Sequence, residues 1–124
     1  MVKVNFSSLN NNQYLLPEDI YLAEIIKVLL KPTKNKNGNY LCWILNIIDP
    51  DELSNNKLFL ITSLKDTALW KLKKLLKTID YPAHGDVVDI DPKAMIGRRL
   101  KVKVIQESYQ GKLYNKIIDF EHVD

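Results

Sequence analysis

The sequence predicts a mostly β protein: five strands in a Greek-key barrel, with one main helix between strands three and four. Three observations carry that expectation. An apolar run of strand length, Leu41 to Ile48, surrounds Trp43, and apolar and polar residues alternate at period two around Val102, the mark of a half-buried strand. The stretch from about Asp66 to Ile79 instead carries Leu69, Leu72, Leu76 and Ile79 at spacings of three or four, one apolar stripe of a helix. No parallel crossover unit of the kind that builds a doubly wound sheet is present.

The elements follow in order. A polar, Asn-rich lead-in occupies residues 1–15, and Pro17-Glu18-Asp19 ends it. Ile20 to Lys31, rich in apolar and β-branched residues, reads as the first strand, with a helix over Glu18 to Leu30 as the rival reading because Ile25, Ile26, Leu29 and Leu30 would share a helical face. Pro32 closes it, and Thr33 to Asn39 forms a basic turn. Tyr40 to Ile48 is the second strand, with Leu41, Trp43, Leu45 and Ile47 on one face and Tyr40, Cys42, Ile44 and Asn46 on the other. Lys57 to Leu64 is the third, although both of its faces are partly apolar and the pattern leaves open which points outward. Ser63 and Asp66 have the spacing of a capping box ahead of the helix.

Beyond the helix, Asp91-Pro92 offers a cap and a first-turn proline for a short helical turn ending at Gly97. Leu100, Val102 and Val104 alternate with Arg99, Lys101 and Lys103 in the fourth strand, and a Tyr109-Gln110-Gly111-Lys112 turn leads into the fifth, Leu113 to Phe120. That order fits a five-stranded OB-fold barrel with its helix between strands three and four, occupying residues 16–124 as one domain. Trp43 and Trp70 are both expected in the core, and the lysines from Lys71 to Lys77 on the solvated faces of the helix.

Composition narrows the function. With 46% apolar and 27% charged residues in 124, the chain is of ordinary globular type. It has no apolar run long enough to span a bilayer and no secretory leader pattern, so a cytoplasmic location is expected. The single cysteine, Cys42, permits no internal disulfide and sits mid-strand as an unreactive thiol. The two histidines, His84 and His122, lack partners at zinc-ligand spacing, and the four glycines are scattered too widely to cradle a phosphate. Asp86, Asp89 and Asp91 do not match a calcium loop and read as a solvated acidic loop plus a helix cap. Neither a cofactor nor a catalytic centre is expected.

Binding residues are better represented. The formal net charge is only +3, yet six basic residues stand against one acid, Glu107, between Arg98 and Lys116. Single strands of nucleic acid are held by cations that follow the phosphates and by aromatic rings on which bases stack. Candidates for phosphate contact are Lys34 and Lys36 in the first loop, Arg99, Lys101 and Lys103 on the fourth strand, and Lys112 and Lys116 on the last hairpin. Tyr40, Tyr109 and Tyr114 are the candidate stacking platforms.

The chain also resembles a family of phage-encoded OB-fold proteins, often recorded as a domain of unknown function, that are regarded as single-stranded DNA-binding proteins. The matching pieces run from Leu16 to Ile25 (LPEDIYLAEI), Asn39 to Trp43, and Ala68 to Leu72, then Asp91-Pro92, Ile96-Gly97-Arg98, Tyr109-x-Gly111, Asn115-x-Ile117 and Phe120. Asp19 stands where the family commonly has Gly. The resemblance implies the OB fold, a strand over Ile20 to Lys31, no catalytic residue, and single-stranded DNA binding in phage replication or recombination, with phage or host proteins of those processes as further partners. A homo-oligomer is compatible with it. The alternative expectation is a protein-interaction module of a replication complex, marked by an apolar groove with Ile44 and Phe59 exposed beside Tyr40. A metal-dependent nuclease built on Asp86, Asp89 and Asp91 is the third.

Overall fold

In a computed structural model, which describes residues 15–33, 38–82 and 85–123, five antiparallel strands form one open sheet in the order β3-β2-β1-β4-β5. Along the chain these are β1 (Asp19–Pro32), β2 (Asn39–Asp49), β3 (Lys57–Ser63), α1 (Leu69–Thr78), the single-turn α2 (Pro92–Met95), β4 (Arg99–Tyr109) and β5 (Lys112–Glu121). The rival helix over residues 18–30 is not formed. Tyr21, Ala23 and Ile25 alternate into the core, a register shift beside Ile26 resets the pleat, and Val28 then faces inward.

β1 is the spine of the sheet. Its first part, Asp19 to Glu24, pairs with β4, and the remainder, from Leu22 to Pro32, pairs with β2. One long strand thus serves two neighbours along different stretches, and the bulges let it bend between them. At the bend the backbone also bonds the segment after α2: Gly97 N–H donates to Ile25 O at 2.8 Å, and Ile25 N–H to Arg98 O at 2.9 Å. Gly97 has φ +91, a conformation that favours glycine.

The closed OB barrel expected from the sequence is corrected here. β3 and β5 approach one another, but they are the two edges of an open sheet, with no backbone ladder between them. α1 spans the opening instead. The Lys71 ammonium donates to the Ile61 carbonyl of β3 at 3.2 Å, and Lys74 bonds the Asp119 carboxylate of β5. Beneath, Leu72, Leu75, Leu76 and Ile79 of the helix segment pack into the core formed by the inner face of the sheet.

Two details of α1 differ from the sequence reading. Ser63 does not close a capping box; its hydroxyl accepts from Lys65 N–H at 3.1 Å, and a 3-10 turn over Asp66–Ala68 precedes the helix. The helix consequently starts late and its buried stripe is rotated onto Leu75, leaving Leu69 38% exposed and Trp70 69% exposed. Trp70 is therefore a surface residue. Trp43 does lie in the core, fully buried, and its indole N–H donates to Thr62 Oγ1 at 2.9 Å. α2 begins as expected, with Asp91 Oδ1 accepting from Lys93 N–H at 3.0 Å and Pro92 in the first turn. No helix among the described residues is long and apolar enough to cross a membrane.

Candidate functional site

Pairing with β2 settles which way β3 faces. Trp43 lies beside Leu60, and Leu58, Leu60 and Thr62 point into the core, so Phe59 and Ile61 must point outward and are 50% and 54% exposed. Cross-strand register then assembles the outer face of β1, β2 and β3 row by row. Lys27, Ile44 and Phe59 form one row; Leu29, Cys42 and Ile61 the next; Lys31, Tyr40 and Ser63 a third. At the other end Glu24, Asn46 and Lys57 align, with Lys57 Nζ donating to Asn46 Oδ1 at 2.8 Å. The result is an apolar strip with an exposed aromatic ring, flanked by lysines. Lys27 and Lys31 make no ion pair among the described residues.

Sequence reasoning missed most of this strip. Tyr40, half-buried beside Lys31, is the one expected nucleic-acid contact in it, while Ile44 and Phe59 were named only for the apolar groove of the alternative reading. Phe59, Lys27 and Lys31 were not singled out as contacts, because neither the outward parity of β3 nor the bulge that turns Lys27 outward is visible in an apolar run. The Lys57, Phe59, Ile61 alternation was the available signal, but Leu58 and Leu60 matched it on the opposite face.

The remaining expected residues divide differently. Lys34 and Lys36 lie outside the described residues. Arg99, Lys101 and Lys103 do project from the outer face of β4, as the alternation required, yet the register sets an acid opposite each. Arg99 Nε lies 3.5 Å from Glu24 Oε1, Lys101 pairs in register with Glu121, and Lys103 with Asp119. Lys116 is bonded to Glu107 at 2.7 Å. Arg99 and Lys116 are thus ion-paired, whereas Lys101 and Lys103 face acids in register without forming an ion pair among the described residues. Arg98 is structural: its guanidinium donates to the carbonyls of Ile79, Asp80 and Ala94 at 2.9 to 3.1 Å and stacks over Tyr81.

Tyr109, Lys112 and Tyr114 cluster at the tip of the β4-β5 hairpin, where Gln110 and Gly111 both take positive φ in a two-residue turn. Tyr109 is 62% and Tyr114 37% exposed, and they border a shallow hollow with Asn115 and Lys116. The candidate contacts therefore occupy two patches: the strip on β1-β2-β3, and this hairpin tip beyond β4.

Two groups among the described residues have displaced pKa values. Burial, and secondarily the nearby Lys116 ammonium, lower that of Lys71 from its usual value. Asp119 is held below the ordinary carboxylate range, chiefly by the Lys74 hydrogen bond and next by the Phe120 N–H that it accepts at 2.9 Å. Neither adjoins a catalytic constellation. Among the described residues no three His, Cys, Asp or Glu side chains come together as a metal site, and Asp91 is engaged as a helix cap.

Fold and surface together define a class: a small, mostly β chain whose open sheet exposes an apolar, aromatic strip edged by lysines. The chain belongs to the family described as Protein of unknown function (DUF669), whose profile matches residues 2–124. No curated protein matches it.

Proposed function

We propose that the chain is a binding protein, not an enzyme, and that it holds single-stranded DNA without strong sequence preference on the outer face of β1, β2 and β3. The observation that carries this reading is the cross-strand row of Lys27, Ile44 and Phe59, in which a half-exposed ring on β3 and an ammonium on β1 stand on either side of Ile44, two strand spacings or roughly 9.5 Å apart. Bases stack on an exposed ring whatever their identity, and an ammonium at its flank suits the phosphate of the same nucleotide. Tyr40 with Lys31 repeats the combination further along β2. Tyr109, Lys112 and Tyr114 at the hairpin tip form a second candidate patch, and Lys34 and Lys36, outside the described residues, stay candidates from the sequence. Lys101 and Lys103, projecting from the outer face of β4 opposite Glu121 and Asp119, are further candidate phosphate contacts.

The sequence resemblance to phage single-stranded DNA-binding proteins supports a role in phage replication or recombination, in the bacterial cytoplasm. It also supports an OB-type ancestry, in which the sheet is an opened form of the barrel with β3 and β5 facing each other.

Anisotropy of a labelled oligothymidine of about 30 nucleotides, with a duplex of equal length as control, tests the reading; that length exceeds the roughly 4 to 16 nucleotides covered by one such domain. Preferential binding to the single strand is expected, weakening with salt at a logarithmic slope near about −3 if about four phosphates are neutralised. A second reading is favoured by one observation, the apolar character of the strip, with Phe59 and Ile61 outward on an edge strand. Such a surface suits a protein partner of the replication machinery. Failure to bind either nucleic acid at low salt would overturn the first reading in favour of this one.

A further inference from the structure

A second exposed apolar region lies away from the strip, between α1 and the loop that precedes α2. There Leu69, Trp70 and Lys73 form one wall of a groove of about 590 Å³, and Asp86, Val87 and Val88 the other. Trp70 is 69% and Val87 86% exposed, large apolar surfaces that a monomer leaves in water at a cost. The DNA-binding reading makes no use of either.

The two walls carry opposite charge. Lys73 lines the helix side and Asp86 the loop side, both exposed. Neither makes an ion pair among the described residues. An acidic peptide would be drawn to the first wall and repelled by the second, and a basic peptide the reverse. A second copy of this chain, related by a two-fold axis through the groove, meets both walls with the opposite sign, and its Trp70 covers the apolar side chains of the first. Self-complementarity of this kind is the requirement of an isologous dimer.

We infer that the α1 groove is a homodimer interface, closed by Trp70 and by reciprocal pairing of Lys73 with Asp86 of the second copy. The patch is small, and contacts burying less than about 1,200 Å² are usually weak and transient, so the association is expected in the micromolar range.

Sedimentation velocity of the full chain from about 1 to about 500 micromolar brackets that range. The wild-type protein should shift from monomer to dimer, with a blue shift of tryptophan emission that belongs to Trp70, because Trp43 is already fully buried. Lys73→Glu makes both walls acidic, and Asp86→Lys makes both basic. Each protein alone should weaken dimerisation at least about tenfold, equivalent to roughly 1.4 kcal/mol. Their equimolar mixture should restore it, since every contact is again between opposite charges. Circular dichroism and the buried Trp43 emission report that both variants are folded. A wild-type protein that stays monomeric throughout, charge-reversed variants that dimerise like the wild type, or a mixture that stays monomeric would each overturn the inference. The oligothymidine assay is a separate measurement, so the two readings stand or fall independently.

Discussion

Replacing Phe59 with alanine separates the function of the outer strip from the stability of the fold. The ring is 50% exposed, so the folded state gains from only about half of it. Full burial of such a side chain contributes about 1.5 to 3 kcal/mol, and the truncation should therefore cost about 1 kcal/mol of stability. Binding should suffer more. If a base stacks on the ring, about 1 to 3 kcal/mol is lost, which corresponds to a dissociation constant weakened by about 5- to 150-fold. Anisotropy with labelled oligothymidine measures the second quantity and urea denaturation the first. Phe59→Leu sharpens the comparison, since it keeps apolar area but removes the π face. Stacking predicts that leucine binds nearly as poorly as alanine, whereas docking of a protein partner would tolerate leucine. Binding of Phe59→Ala within about twofold of wild type, well short of the loss expected for one stack, would refute the assignment of Phe59 as a platform.

Two further perturbations probe the frame beneath the strip. Thr62→Val leaves the buried Trp43 N–H without its acceptor, and urea denaturation should show a loss of about 1 to 3 kcal/mol with the sheet otherwise intact. The depressed pKa of Asp119 means that its pairing with Lys74 stabilises the folded state above the ordinary carboxylate value, near about 3.9. That contribution is lost as pH falls through the lower folded-state value, so Asp119→Asn should show a flatter loss of stability over the acid range in pH-dependent thermal unfolding.

How much of this was legible in the sequence depended on whether the two faces of an element differed. β2 and β4 were readable because their outward positions are polar or mixed and their inward ones uniformly apolar, as with Leu100, Val102 and Val104 against Arg99, Lys101 and Lys103. β3 was not, since Phe59 and Ile61 are as apolar as Leu58 and Leu60. The demand of the Trp43 indole for a buried acceptor, met by Thr62, is a long-range fact. The acids beside the basic cluster were hidden for a related reason: Glu24, Asp119 and Glu121 are remote from the β4 cations in sequence but adjacent in register. Trp70 was assigned to the core because the expected stripe began at Leu69, and a small rotation of the helix behind its 3-10 turn moved both residues to the surface. Closure of the barrel was an expectation about β3 and β5, strands that meet only through the whole topology.

The helix that bridges those two edges works as a buckle. Lys71 holds the rim on the β3 side and Lys74, three residues further along, holds the rim on the β5 side. A barrel seam made of backbone can be loosened only by breaking a row of amide bonds together. Here two ammonium contacts, each contributing about 1 kcal/mol or less, add to the larger hold that Leu72, Leu75, Leu76 and Ile79 have on the core. Curvature is thereby placed under side-chain control: single substitutions on one face of one helix can slacken the sheet while leaving every strand pairing in place.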